Sequence, residues 1–314
     1  MGEFELIRRY FSPLAERHKS DLIVLGLGDD CAIQRIPAGC DLVFSIDTMV
    51  EGVHFPKDYS PERLGWRALA AAASDLAAMG ATPVCFTLAL TLPAVNERWL
   101  TGFAQGLSEA SQSFGLVLAG GDTTRGPLTL SLQVHGTVRE DSALTRSGAR
   151  AGDLIFVSGT LGDAGAALDY LAEPHPTPDM AFVLDRYHKP RPRLELGRAL
   201  AGIASSCIDI SDGLQADLGH ILTASGTGAS IDPSKLPLST ALRNLKGSEA
   251  VGYALGAGDD YELCVTMPRE SWREIPDSIR CQLTMIGTIE ETPGMRLDDS
   301  AISSSGVSGF DHFG

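Results

Sequence analysis

Apolar and polar positions along the chain change period repeatedly, and each change marks an element. Residues 2–18 are charged and amphipathic and predict a short helix. The runs "DLIVLGLG" and "CDLVFSIDTMV" predict strands. In the second, strict alternation puts Ser45 and Asp47 on one face and Phe44 and Ile46 on the other. Ser60 followed by Pro61 is a helix start, a capping residue before a proline at the first helical position, and this helix is predicted to run to Gly80. "VCFTLALTL" predicts a buried strand, residues 96–114 a second helix, and "GLVLAGGDT" and "LTLSLQVHGTV" two more strands.

After the polar, glycine-bearing joint "RSGARAGD" a second set begins. "LIFVSGTLGDAGAALDYL" and "SSCIDISDGLQADLGHILTAS" each read as strand, turn, helix. "AVGYALGAGDDYELCVTM" and "CQLTMIGTIE" predict further strands, and the tail "AISSSGVSGFDHFG" is too polar and glycine-rich for a helix. Interleaved strands and helices make this an α/β (α+β) protein. Its 314 residues suit two domains, drawn at 1–147 and 148–314, each long enough to bury a core.

Charge and cysteines narrow the chemistry. The formal charge is −15, with no basic stripe, which excludes nucleic acid as a partner but admits a polyphosphate bridged by divalent metal. The six cysteines form no C-x-x-C pair and read as reduced thiols in a cytoplasmic protein. The N-terminus is not a secretory signal, and no run of about 18 apolar residues predicts a membrane span.

Familiar phosphate motifs are missing. Gly26 and Gly28 begin a dinucleotide fingerprint, but Cys31 stands where its third glycine belongs. No lysine follows a glycine, so there is no Walker A loop, and the protein-kinase signatures are absent too. What the chain does carry is carboxylates near predicted strand ends. Asp75 lies in "WRALAAAASDLAAMGA", apolar on nearly every face and near the negative end of the helix dipole, where an unpartnered charge is costly. An ion pair to Arg67 would account for it; so would a bound metal. Asp29, Asp47 beside Ser45, Asp122 after Gly120 and Gly121, Asp209, and Asp212 after Ser211 add to the set. Each has a structural reading as well, Ser211 as a helix cap and Asp212 as a first-turn acid. Together, hard oxygen ligands without histidine or thiolate point to Mg²⁺ and phosphoryl transfer.

In order, "GLGDDCAI", "SIDTMVEGVHF", "SDLAAMGATP", "AGGDTTRGP", "RSGARAGD", "GTLGDAGAAL", "DISDGL", "GDDYEL" and "GFDHF" resemble the thiamine-monophosphate kinases, and the resemblance covers nearly the whole chain. It implies the fold of the aminoimidazole-ribonucleotide-synthetase superfamily, with an N-terminal ATP- and Mg-binding domain that pairs in a homodimer and a C-terminal α/β domain. It implies ATP-dependent conversion of thiamine monophosphate to thiamine diphosphate with several Mg²⁺ ions and no covalent nucleophile. By motif, Asp29, Ser45, Asp47, Asp75, Asp122, Asp209 and Asp212 correspond to metal positions. Gly121, Asp122, Arg146 and Ser211 correspond to nucleotide positions, and His54, Asp259 and Phe310 to the thiamine side. Two departures stand out: Ile46 replaces a threonine before Asp47, and Asp259 replaces a glutamate. Other synthetases of the superfamily, for selenophosphate or aminoimidazole ribonucleotide, and a non-catalytic nucleotide- or metal-binding protein are the rival readings. The selenophosphate type lacks support, since no reactive cysteine lies in a glycine-rich N-terminal segment.

Overall fold

A computed structural model describes residues 2–17, 19–297 and, for the backbone, 300–301. The chain divides into two compact units, the first made of residues 1–76 and 81–141, the second of residues 77–80 and 142–314.

The first unit is built on a four-stranded sheet of order β3-β6-β4-β5 (β3 Cys40–Val50, β4 Thr82–Leu92, β5 Val117–Arg125, β6 Thr129–Arg139). β6 pairs antiparallel with β3 and β4, and β5 pairs parallel with β4. A parallel neighbour needs a crossover, which α2 (Glu97–Phe114) supplies between β4 and β5. α1 (Pro61–Ala78) connects β3 to β4, and its buried Leu64, Ala68, Leu69, Ala72, Ala73 and Leu76 leave almost no polar face. The two helices approach unusually closely. A Cβ on Gly65 would stand 2.4 Å from the Phe103 carbonyl oxygen, and one on Gly106 1.8 Å from that of Glu62. Asn96 caps α2 by accepting from the Trp99 N–H, and Gly115 ends it in a left-handed conformation. A separate hairpin, β1 (Ile23–Leu25) with β2 (Ile33–Gln34), precedes the sheet, so only the middle of "DLIVLGLG" is strand.

The second unit holds a seven-stranded sheet of order β13-β12-β9-β11-β7-β10-β8. Its strands are β7 (Leu154–Ser158), β8 (Ser206–Ile210), β9 (Gly228–Ile231), β10 (Glu262–Met267), β11 (Leu283–Glu290), β12 (Gly294–Leu297) and β13 (Ser300–Ala301). Pairing is antiparallel except between β12 and β9. Alternate residues Ile155 and Val157 of β7 and Ile208 and Ile210 of β8 join Leu214, Leu218 and Ile221 of the helix Leu214–Ser225 in one core. One predicted strand segment is instead helical: "AVGYALG" forms Ala250–Gly256. Its buried Ala250, Ala254 and Leu255 recur at helical spacing, and alanine and leucine carry no β preference to oppose it. All six cysteines are free. No helix among the described residues is long and apolar enough to cross a membrane.

Candidate active site

In the first unit the alternation of β3 decides which way its polar residues point. Phe44 and Ile46 are 61% and 63% exposed, so Ser45 and Asp47 take the opposite face. There the Ser45 hydroxyl donates to Asp75 Oδ2 on α1. Burial, and then the neighbouring charge of Asp75, push the Asp47 carboxyl up to about 6. Ser45, Asp47 and Asp75 thus form one group: two carboxylates within electrostatic reach and a hydroxyl, hard oxygen donors of the kind a divalent cation takes.

The remaining predicted residues of this unit serve other places. Asp29 is exposed after Gly28, whose φ is +118°, and its carboxylate accepts from the Asp30 N–H. Asp122 is exposed on β5 opposite Ala89. Gly121 and Asp122 line a small cavity with Ile7, Phe11, Leu27 and Leu88. Gly121 has a packing reason to be glycine, because a Cβ there would stand 2.1 Å from the Leu88 carbonyl oxygen. His54 Nδ1 accepts from the Val50 N–H at 3.0 Å, so the neutral ring carries its proton on Nε2. Among the described residues, no three carboxylates, histidines or cysteines gather to hold a metal by themselves.

In the second unit, Asp209 lies buried in β8, and Ser211 and Asp212 occupy the turn that follows. The helix begins only at Leu214, so Ser211 does not cap it and Asp212 is not in its first turn. The acid of that first turn is Asp217, which sequence reasoning missed. One of its oxygens accepts the N–H groups of both Ser211 and Asp212 at 3.0 Å. Burial outweighs these bonds and pushes its carboxyl up to about 7. Asp259, at φ +68°, lies against the same turn: its N–H donates to the Ser211 carbonyl at 2.8 Å, and its carboxylate accepts from the Tyr261 hydroxyl at 3.1 Å. Arg146 is exposed, and its carbonyl accepts from the Ser225 hydroxyl. Phe310 lies outside the described residues.

The rest of "GDDYEL" makes a second polar group that its pattern did not announce. Glu262, fully buried, accepts from the Ser158 hydroxyl at 2.5 Å, from Arg186 at 2.7 Å and from Arg193 at 2.6 and 2.5 Å. Burial alone would raise its pKa; the Arg193 hydrogen bonds and the charges of both arginines overcome this and lower it. Asp260 accepts from the Gly162 N–H at 2.6 Å, and burial drives its carboxyl up to about 8. The glycine turn of "GTLGDAG" is therefore shaped by packing: a Cβ on Gly159 would meet the Glu262 carboxylate at 2.1 Å. A cavity of about 160 Å³ lined by Ser158, Gly159, Arg193, Cys281, Gln282 and Thr284 holds none of the predicted site residues.

Residues 28–138 match the family "AIR synthase related protein, N-terminal domain", which agrees with the expected fold. A thiamine-monophosphate kinase of Haemophilus influenzae is 42% identical over 324 aligned positions, covering 100% of this chain and 98% of its own. The crystal structure of thiamine-monophosphate kinase from Stenotrophomonas maltophilia superposes with a TM-score of 0.87 at 42% identity, covering 96% of this chain and 98% of the other. AaThiL complexed with AMPPCP and TMP superposes at 0.82 with 32% identity, over 99% of this chain and 97% of that one. With that identity sustained from end to end, the chain belongs to the thiamine-monophosphate kinase family.

Proposed function

We propose that this protein transfers the γ-phosphoryl group of ATP to thiamine monophosphate, giving thiamine diphosphate. The observation that carries the reading at the level of chemistry is the group Ser45, Asp47 and Asp75, with Asp47 held up to about 6 by burial and by Asp75. Two carboxylates and a hydroxyl so placed supply the hard oxygen donors that Mg²⁺ takes. Ser45, Asp47 and Asp75 would hold Mg²⁺, with Asp29, Asp122, Asp209 and Asp212 as the further metal positions. Bound there, Mg²⁺ would neutralise phosphate charge and accept waters and phosphate oxygens in its remaining positions. Gly121, Asp122, Arg146 and Ser211 would face the nucleotide; His54, Asp259 and Phe310 the thiamine side. The N-terminal domain would carry ATP and Mg²⁺, in a cytoplasmic homodimer.

The acceptor is a phosphate oxygen, anionic at neutral pH, so no side chain has to remove a proton from it. The protein's task is alignment and charge balance. Direct transfer is the step this favours: the carboxylates would be engaged by metal, no cysteine lies in an activating motif, and burial raises the Cys85 thiol to about 12. Incubation with ATP, Mg²⁺ and thiamine monophosphate should yield thiamine diphosphate, and no product under saturating conditions would overturn the reading. γ-Labelled ATP alone should leave the protein unlabelled. Label on His54 that chases into product would replace direct transfer with a phosphoenzyme.

A further inference from the structure

The turn between β8 and the helix Leu214–Ser225 is held on both of its backbone edges. On one, the 2%-exposed Asp217 reaches back, and a single carboxylate oxygen accepts the N–H groups of Ser211 and Asp212, each at 3.0 Å. On the other edge, the Asp259 N–H donates to the Ser211 carbonyl and the Tyr261 N–H to the Ile210 carbonyl, both at 2.8 Å. Gly258 permits this contact, since a Cβ there would lie 2.2 Å from the Ser211 carbonyl oxygen. Asp259 and Tyr261 both adopt positive φ, +68° and +51°, a conformation that needs such external fixing in residues with side chains.

Successive N–H groups directed to one point form a concavity that binds anions. Here the anion is the chain's own carboxylate. The Ser211 and Asp212 amides are therefore already occupied, and what the turn offers a ligand is the Ser211 hydroxyl and the Asp212 carboxylate. We propose that Asp217 is the positioning residue of this turn. It fixes Asp212 directly and Asp259 through the Ser211 carbonyl, so that one buried side chain sets the geometry of both. The inference rests on the reading of Ser211, Asp212 and Asp259 as nucleotide, metal and substrate positions.

Because one oxygen accepts both bonds, asparagine can supply the same acceptor, whereas alanine cannot. Asp217→Ala should raise the half-saturating Mg²⁺ concentration roughly 10–100-fold, the scale of losing an outer partner of a metal ligand, and lower kcat, while Asp217→Asn should stay within about 3-fold of the parent. Equal impairment of the two variants, or an unchanged Mg²⁺ dependence in Asp217→Ala, would overturn the proposal. Asp212→Asn is the control for the underlying reading: full turnover in it removes Asp212 from the metal set, whatever Asp217 does. Should Asp217→Ala fail to fold, amide hydrogen exchange in the intact protein decides. The amides of 211 and 212 should exchange slowly in the parent and in Asp217→Asn; exchange at the rate of an open loop in the parent would sink the clamp.

Discussion

Two Asp-Asp pairs on glycine bends show how one dipeptide takes different roles. In the first, Asp29 and Asp30 are exposed. In the second, Asp259 is tied to the Ser211 carbonyl while Asp260 is 2% exposed and accepts from Gly162. The residues with most at stake chemically are Asp47 and Asp75, since each sits with a like charge nearby. Asp47→Asn and Asp75→Asn should each lower kcat by about 100-fold or more, the scale of losing one electrostatic stabiliser. Their thermal unfolding should stay close to the parent's, because removing one of two repelling charges does not cost the fold. Steady-state rates with circular dichroism melts check this, and near-normal turnover in both would remove the group from the reaction. Legibility differed between these residues. The alternation of β3 showed that Ser45 and Asp47 share a face, but their meeting with Asp75 depends on where α1 lies.

At the scale of elements, the α1–α2 crossing depends on Gly65 and Gly106, which leave room for the facing backbone. Gly106→Ala would place a methyl group 1.8 Å from the Glu62 carbonyl oxygen, against backbone that has no rotamer to yield. Alanine's better helix propensity, worth about 1 kcal/mol, is smaller than the roughly 1–3 kcal/mol or more of overpacking. The expected outcome is a clear fall in urea midpoint, and an unchanged or raised midpoint would show that the helices can part at little cost. Glu262 at the start of β10 and Asp260 just before it bond to the helix Pro178–His188, which carries Arg186, and to the turn at Gly162. Asp260 has a folded pKa raised from 3.8 to about 8, so its favourable contribution is complete below about pH 4 and is lost as pH rises through about 8. Glu262, lowered, acts oppositely: its contribution is present above its unfolded value and is lost as pH falls through its folded one. Unfolding midpoints between pH 4 and 9 should decline more steeply in the parent than in Asp260→Asn, where that group no longer ionises. Parallel profiles would show that Asp260 does not titrate in this window.

For the whole molecule, the charge of −15 and the exposed stripe Leu42, Phe44 and Ile46 on β3 pull in different directions. The charge keeps copies apart, whereas an apolar strand face 40–63% exposed favours covering it. A second copy is the proposed cover, as an isologous pair. Phe44→Asp with Ile46→Asp should shift the mass by light scattering from two chains to one. A parent that is already monomeric at micromolar concentration would end the dimer proposal.

The sequence by itself determined the family and the run of strands and helices from β3 to β6, because periodicity and the short motifs are local properties of the chain. It also separated the faces of β3, since a strand's alternation needs no partner. Only the tertiary structure decided that Gly121 and Gly159 answer to packing, that "AVGYALG" is helical, and that Asp217 holds the Ser211–Asp212 turn. The physical reason is the same in each case. A close approach, a burial or a hydrogen bond to a distant backbone amide depends on the neighbour that folding supplies, and nothing in the local pattern of residues encodes which neighbour that will be.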